Sequence, residues 1–389
     1  MARMILVLNP GSASKKLALY RDASLQLAAH VEYENGKIVA QLSGATAERF
    51  PLPADGFEHA TEWFVGQARS AGVIKSRDDI DAVALRIVAS GEAFRKHRVI
   101  DEHYERQIRT AYERSPLHLG PALAELEEVR KELPDVPVVG ASDSAFHITL
   151  PDVARRYATP SGDAERRGLF RYGFHGLSMQ SVVRQVRRKY GRMPARTIVC
   201  HLGSGASMTA LKGGKSVDTS MGATPMEGLV MSTRSGDVDP GILLEMAGER
   251  SARQVELDLN RHSGLLALGG SDDIRELVAR EQKGDARAGQ ALDIYAYHVR
   301  KYIGAYAAVL GGLDLLVFTG TVGLRSFPIR ERVCKDLGYL GVTLDKARNR
   351  RAGRGDEINQ SRRKPPVLVL ETDEAAEMAR STRDALKRR

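Results

Sequence analysis

Cysteine is nearly absent from this chain: Cys200 and Cys334 are the only two in 389 residues. Two thiols cannot build a disulfide framework, and no Cys/His spacing matches a zinc site, so a reducing compartment, the cytoplasm, is expected. Aromatic residues are scarce as well, at 6% with a single tryptophan. The net charge of +9 therefore lacks the interleaved rings on which single-stranded bases stack, and nucleic acid is not expected as a partner. A positive surface instead raises the local concentration of small anions. No stretch reaches the ~18 uncharged apolar residues that a membrane span needs. The sequence enters the strand-like Met4-Ile-Leu-Val-Leu8 directly, without the apolar core and small-residue cleavage site of a secretion signal.

The chain is longer than one hydrophobic core usually supports, so two domains are expected. A duplicated element supports this. Asn9-Pro-Gly-Ser-Ala-Ser-Lys-Lys-Leu-Ala-Leu19 and His201-Leu-Gly-Ser-Gly-Ala-Ser-Met-Thr-Ala-Leu211 follow one plan: apolar strand, polar head residue, Gly/Ser turn, second strand. Each reads as a hairpin, either an ordinary tight turn or one whose backbone amides receive an anion. Helical periodicity predicts helices at 101–114, 120–133, 178–190, 240–248, 288–310 and 374–387. Short apolar strands are predicted at 81–88, 136–140, 314–319 and 366–371, and the alternation indicates an α/β protein. The charged, Gly-containing stretch 349–364 reads as an exposed loop.

Several residue types needed for phosphoryl transfer occur at predicted strand ends. Arg86 lies inside the apolar run Ala82-Val-Ala-Leu-Arg-Ile-Val88, where a permanent charge requires a buried partner or an anionic ligand. Arg234, among the small residues of Met231-Ser-Thr-Arg-Ser-Gly-Asp-Val-Asp-Pro-Gly241, either grips an anion through two parallel hydrogen bonds or is a surface residue beside a helix capped by Asp237 or Asp239. His118, His175 and His201 each stand near glycine at an apparent strand or loop end, as ligand donors or as structural histidines. Asp143 follows the apolar Val136 to Val139, a position suited to an oxygen-ligated Mg²⁺. Glu374 opens the last predicted helix, where it is a metal ligand or part of a cap with Thr372 or Asp373.

Taken together, these segments resemble the acetate kinase family, a branch of the sugar kinase, Hsp70 and actin superfamily. The resemblance rests on the Asn9 hairpin, Ser142-Asp-Ser-Ala-Phe-His147, Arg171-Tyr-Gly-Phe-His-Gly176, His201-Leu-Gly-Ser-Gly-Ala-Ser207, Thr224-Pro-Met-Glu-Gly228, Thr233-Arg-Ser-Gly-Asp-Val-Asp-Pro240 and Thr372-Asp-Glu374. It implies an α/β, two-domain sugar kinase/Hsp70/actin-like fold with duplicated βββαβαβα-type domains and an interdomain cleft. The domains would be 1–145, completed by the helix 372–389, and 146–371, which would carry the nucleotide-binding loops.

The resemblance further implies reversible, in-line phosphoryl transfer from ATP to acetate or propionate with Mg²⁺, in a cytoplasmic homodimer. In this reading Arg86 and Arg234 neutralise the transferring group, His175 donates a hydrogen bond to it, and Asp143 acts with them. Asn9, Asp143 and Glu374 arrange the metal. Val88, Leu117, His118, Phe174 and Pro225 line the pocket for the acid. Asn9, Ser12, Lys16, His201, Gly203, Ser204, Gly205, Gly320, Thr321 and Gly323 hold the nucleotide and its phosphates. The chain departs from the family pattern in places. Leu85-Arg-Ile-Val-Ala-Ser-Gly-Glu92 lacks two histidines that flank the arginine in the family, Leu119 replaces an asparagine, and Ser204 replaces another. In Phe318-Thr-Gly-Thr-Val-Gly-Leu-Arg325, Thr321 stands where the family has glycine and adds a side chain where adenine would pass. These departures raise two alternatives, a catalytically weakened ligand-binding relative and a different phosphoryl donor such as pyrophosphate.

Overall fold

The computed structural model describes residues 3–11, 13–44, 47–113, 116–360 and 365–387. The chain divides into two compact units, Met1–Ala145 with Asp373–Arg389, and Phe146–Thr372.

The first unit is built on an eight-stranded sheet. Its strands are β1 (Met4–Pro10), β2 (Ser14–Arg21), β3 (Ser24–Glu34), β4 (Lys37–Ser43), β5 (Glu48–Leu52), β6 (Ala82–Ile87), β7 (Arg98–Val99) and β8 (Val138–Ser142), in the spatial order β5-β4-β3-β2-β1-β6-β8-β7. The central pairs β1/β6 and β6/β8 are parallel, and the remaining pairs are antiparallel. The parallel strands read as unbroken apolar runs because elements cover both of their faces; Ile5 to Leu8 and Ala82 to Leu85 are all buried. The predicted hairpin is present, with Asn9 opposite Lys16. The helix Glu374–Leu386 packs on β1, β6 and β8. Asp373 caps it by accepting from the Ala376 amide at 2.9 Å, and Glu374 and Glu377 place negative charge in its first turn.

The helix predicted from residue 120 starts earlier, as Pro116–Glu132. Proline is favoured at the first helical position, and Pro121 in the second turn forfeits only the bond to the Leu117 carbonyl. Leu117 and His118 therefore lie in the first turn of a helix rather than at a loop end.

Beside the hairpin, Lys15 is buried. Its Nζ lies 2.7 Å from Glu125 and 3.8 Å from Glu128, and it donates to the Glu58 carbonyl at 3.2 Å. Burial, reinforced by the charge of Glu125, pushes the Glu128 carboxyl up to about 7, with Lys15 opposing the shift. A raised carboxyl favours the folded state while it stays protonated. That contribution is full below the ordinary carboxyl value of 4.5 and is lost as pH rises through about 7. Glu128→Gln should therefore melt roughly 2–4 °C higher than the unmodified chain on the alkaline side of neutrality, with little difference in mild acid. Calorimetry at both pH values measures it, and equal melting temperatures throughout would contradict it.

The second unit repeats the topology. Its strands are β9 (Arg196–Leu202), β10 (Ala206–Lys212), β11 (Lys215–Thr219), β12 (Leu315–Thr319), β13 (Asp356–Glu357) and β14 (Val367–Val369), ordered β11-β10-β9-β12-β14-β13. Without β4 and β5, the first sheet has the same order and the same pattern: an antiparallel meander, two parallel strands and a two-residue antiparallel edge. The long helix Ala286–Leu310 buries Ala288, Ala291, Leu292, Tyr295, Val299 and Ile303 at helical spacing and packs on β9 and β10.

The stretch 349–364 is not simply an exposed loop. Asn349 is buried in the helix Lys346–Arg351, Asp356–Glu357 pairs with β14, and Asn359 bridges Leu344; residues 361–364 lie outside the described residues. Fully buried Ile358 and the side-chain amides of Asn349 and Asn359 order this segment together. No helix among the described residues is long and apolar enough to cross a membrane.

Candidate functional site

Two groups of side chains stand out, one in each unit. In the first unit, the carboxyl ends of the parallel strands β1, β6 and β8 deliver Asn9, Arg86 and Asp143 to one place, the end of an α/β sheet where ligands usually bind. Arg86 donates to Asp143 Oδ2 at 2.8 Å and to Asn9 Oδ1 at 3.1 Å, and lies 3.5 Å from Glu374 Oε2. The charge in the apolar strand thus has its partners. Burial disfavours the charged guanidinium, yet Asp143 and Glu374 more than offset this and hold its pKa above the ordinary arginine value. Asp143 is 1% exposed, whereas Arg86 at 18% and Glu374 at 21% keep an open side.

A Mg²⁺ ion would meet only oxygen here: the Asn9 amide oxygen and two carboxylates. This is the hard donor set that suits a small hard cation, which usually takes one or two carboxylates and keeps its other positions for water and phosphate. No group of three His, Cys, Asp or Glu side chains among the described residues forms a closed cage. Of the other predicted residues in this unit, Lys16 is exposed on β2, Val88 and Leu117 are half-buried, and His118 sits beside Leu117. Ser12 lies outside the described residues.

In the second unit the β9–β10 hairpin, the start of the helix Gly176–Tyr190 and the segment around Arg234 meet. His175 occupies the N-cap with φ 58°, a left-handed conformation uncommon for a residue other than glycine. Its ring stacks on His201 with centroids 4.3 Å apart. Its Nδ1 is 2.9 Å from Ser207 Oγ. Gly205 lies against both side chains: a Cβ there would stand in ordinary van der Waals contact, 3.4 Å from His175 Nε2 and 3.8 Å from Arg234 Nη1.

Arg234 donates to the Pro225 carbonyl at 3.1 Å and has no carboxylate partner among the described residues. Burial, with the charge of Arg261 nearby, pushes its pKa down to about 10. It stays protonated at neutral pH, half-buried and short of negative charge, and so is ready for an anion. The adjacent helix is capped as the alternative reading expected, by Asp239 on the Gly241 amide, but Arg234 is not a surface residue. Pro225 and Phe174 are buried.

Gly203 and Gly205 close the hairpin turn through a 3.1 Å backbone bond, and the Ser204 carbonyl accepts from Ser232. Gly320 follows β12 with φ 77°, where a Cβ would fall 2.5 Å from the Leu202 carbonyl. Thr321 is exposed at the start of the short helix Gly320–Arg325, and Gly323 is buried within it.

Sequence reasoning missed several supports. Arg171 pairs with Glu227 at 2.5 Å and donates to the carbonyls of Thr219 and Ala154, tying two quoted motifs together. Fully buried Arg330 donates to the carbonyls of Gly323, Leu324 and Asn349 and to the Asn349 side chain, all within 2.7–2.8 Å. Burial lowers its pKa to about 10 against the opposing effect of Cys334. Standing between Ile329 and Val333 in a short helix with other charged residues, Arg330 gave no local signal of its burial.

The Acetokinase family model matches residues 4–380. An acetate kinase of Heliobacterium modesticaldum is 40% identical over 402 residues, which cover 99% of this chain and 100% of that one. The crystal structure of Porphyromonas gingivalis acetate kinase superimposes with a TM-score of 0.88 at 36% identity, covering 99% of this chain and 100% of the other. A propionate kinase from Francisella tularensis gives 0.89 at 31% identity, covering 97% and 98%. With matched motifs, fold and length in agreement, this chain belongs to the acetate kinase family.

Proposed function

We propose that the chain catalyses reversible transfer of the γ-phosphoryl group of ATP to the carboxylate of acetate or propionate, giving an acyl phosphate and ADP. The observation that carries this reading is the convergence of Asn9, Arg86, Asp143 and Glu374 at the carboxyl ends of three parallel strands. Arg86 and the carboxylate-free Arg234 neutralise charge on the phosphoryl oxygens, and His175 donates a hydrogen bond to them. The acid is already ionised and needs no base, so catalysis consists of positioning and charge stabilisation. Asn9, Asp143 and Glu374 would hold Mg²⁺, which when bound offsets phosphate charge. The apolar character of Val88 and Leu117 in the first unit and of Phe174 and Pro225 in the second favours a short acid, with His118 as a further substrate residue of this reading. The Gly203–Gly205 turn, together with His201, Lys16 and the Gly320–Gly323 segment, serves the nucleotide.

A coupled assay for ADP, with hydroxylamine trapping of the acyl phosphate, tests the proposal. Turnover should require a short acid and Mg²⁺. Absence of turnover with every short acid, with ATP and with pyrophosphate alike, would remove it. Running both donors also decides whether exposed Thr321 has shifted donor choice.

We place the enzyme in the cytoplasm and propose that it is a homodimer. The helix Pro240–Glu249 has no buried residue and leaves Ile242 51% and Leu244 76% exposed, an apolar face of the kind that marks an interface. Leu244→Asp should convert a dimer into a monomer in sedimentation experiments. A wild-type monomer would refute the assignment.

A further inference from the structure

The ring of His175 is held so that its two nitrogens have different tasks. Nδ1 meets Ser207 Oγ at 2.9 Å, while Nε2 is the nitrogen next to Gly205 in the phosphate turn. Which nitrogen carries the proton of the neutral ring decides whether that turn is offered a donor or an acceptor. Ser207 resolves the question. Its side chain is wholly buried on β10, and among the described residues the bond to His175 is the only hydrogen bond of its hydroxyl. A hydroxyl has one hydrogen to donate, and buried donors are almost always satisfied. Were the proton on Nδ1, Ser207 would have to accept it, and its own hydrogen would have no acceptor. Ser207 therefore donates to Nδ1, and the ring proton sits on Nε2.

A second histidine in the same unit follows the same rule with less freedom. His147 Nε2 is 2.9 Å from the Phe174 carbonyl, which can only accept, and its Nδ1 is 2.8 Å from the hydroxyl of buried Ser216. There Nε2 must donate and the serine must supply Nδ1. His147 thereby secures the backbone immediately before His175, while Ser207 secures the ring.

We propose that Ser207 is a positioning residue that holds neutral His175 in its Nε2–H tautomer, so that a donor faces the Gly203–Gly205 turn. Its catalytic meaning rests on the kinase reading above; the tautomer itself does not. The groups that face His175 within this unit are His201, stacked on it, and Arg234, across Gly205.

The test uses the full chain with ¹⁵N-labelled histidine, recorded above the ordinary histidine pKa of about 6.5. The His175 signals are assigned by their absence in His175→Gln. The unmodified chain should show the proton on Nε2. Ser207→Ala should give a mixture of tautomers, and its kcat with ATP and acetate should fall roughly 10- to 100-fold while KM for acetate stays nearly constant. Ser207→Thr, which keeps the hydroxyl, should retain the Nε2 tautomer and most of the rate. A proton on Nδ1 in the unmodified chain, or an unchanged tautomer in Ser207→Ala, overturns the proposal. An unmodified chain that turns over no short acid would instead defeat the kinase reading, and the spectra would still decide the tautomer.

Discussion

Arg86→Ala should reduce kcat by about 10³-fold or more, the scale on which an arginine stabilises a phosphoryl transition state. Stability should fall as well, because the same guanidinium neutralises Asp143 and Glu374. Removing one member of a buried pair costs about 3–5 kcal/mol when the other is left charged. Asp143, at 1% exposure, cannot recover that loss from water. Arg86→Lys should keep much of the stability and little of the rate, since an ammonium cannot reach Asp143 and Asn9 with one rigid fork. Steady-state kinetics and urea unfolding on both variants separate these effects. An Arg86→Ala enzyme within tenfold of wild type would show that the cluster serves folding alone.

The second large effect is expected at Arg330. Arg330→Met keeps the volume but strands three carbonyls and the Asn349 side chain that the guanidinium now satisfies. Unfolding free energy should drop by about 3–5 kcal/mol. One of those carbonyls belongs to Gly323, inside the segment proposed for the nucleotide, and another to Leu324 directly after it. KM for ATP should therefore rise well before KM for the acid does. Denaturant midpoints and paired KM measurements check both parts; equal rises in the two KM values would detach Arg330 from the nucleotide segment.

Arg86 and Arg330 also mark how far the amino-acid sequence could be read. In a buried parallel strand every neighbour is apolar, so one arginine is conspicuous and demands a partner. In a short amphipathic helix a charged residue is expected every few positions, and nothing local tells Arg330 from an exposed neighbour. Lys15 follows Arg330 in this. It adjoins Lys16 in the sequence, the two point to opposite faces of β2, and only the positions of Glu125 and Glu128 on a distant helix explain why Lys15 is the buried one. The paired hairpins were legible because a strand-turn-strand pattern is local and occurs twice. The pairing of β13 with β14 was not, because β13 is only two residues long and charged, and the Asn359 amide oxygen that accepts from Val367 beside it carries no periodic signal. The donor role of Ser207 was also out of reach. It requires knowing that the hydroxyl is enclosed and which ring nitrogen it faces.

The first unit is interrupted: the chain leaves it at Ala145 and returns at Asp373. On the ribosome, the sheet face awaiting the helix Glu374–Leu386 stays bare while all of Phe146–Thr372 is synthesised. The second unit, contiguous in the chain, is free to fold first. Glu374 arrives with that late helix, so a nascent chain acquires the carboxylate facing Arg86 only after the whole second unit has been made. A circular permutant that joins the late helix to β1 would let the first unit mature without waiting.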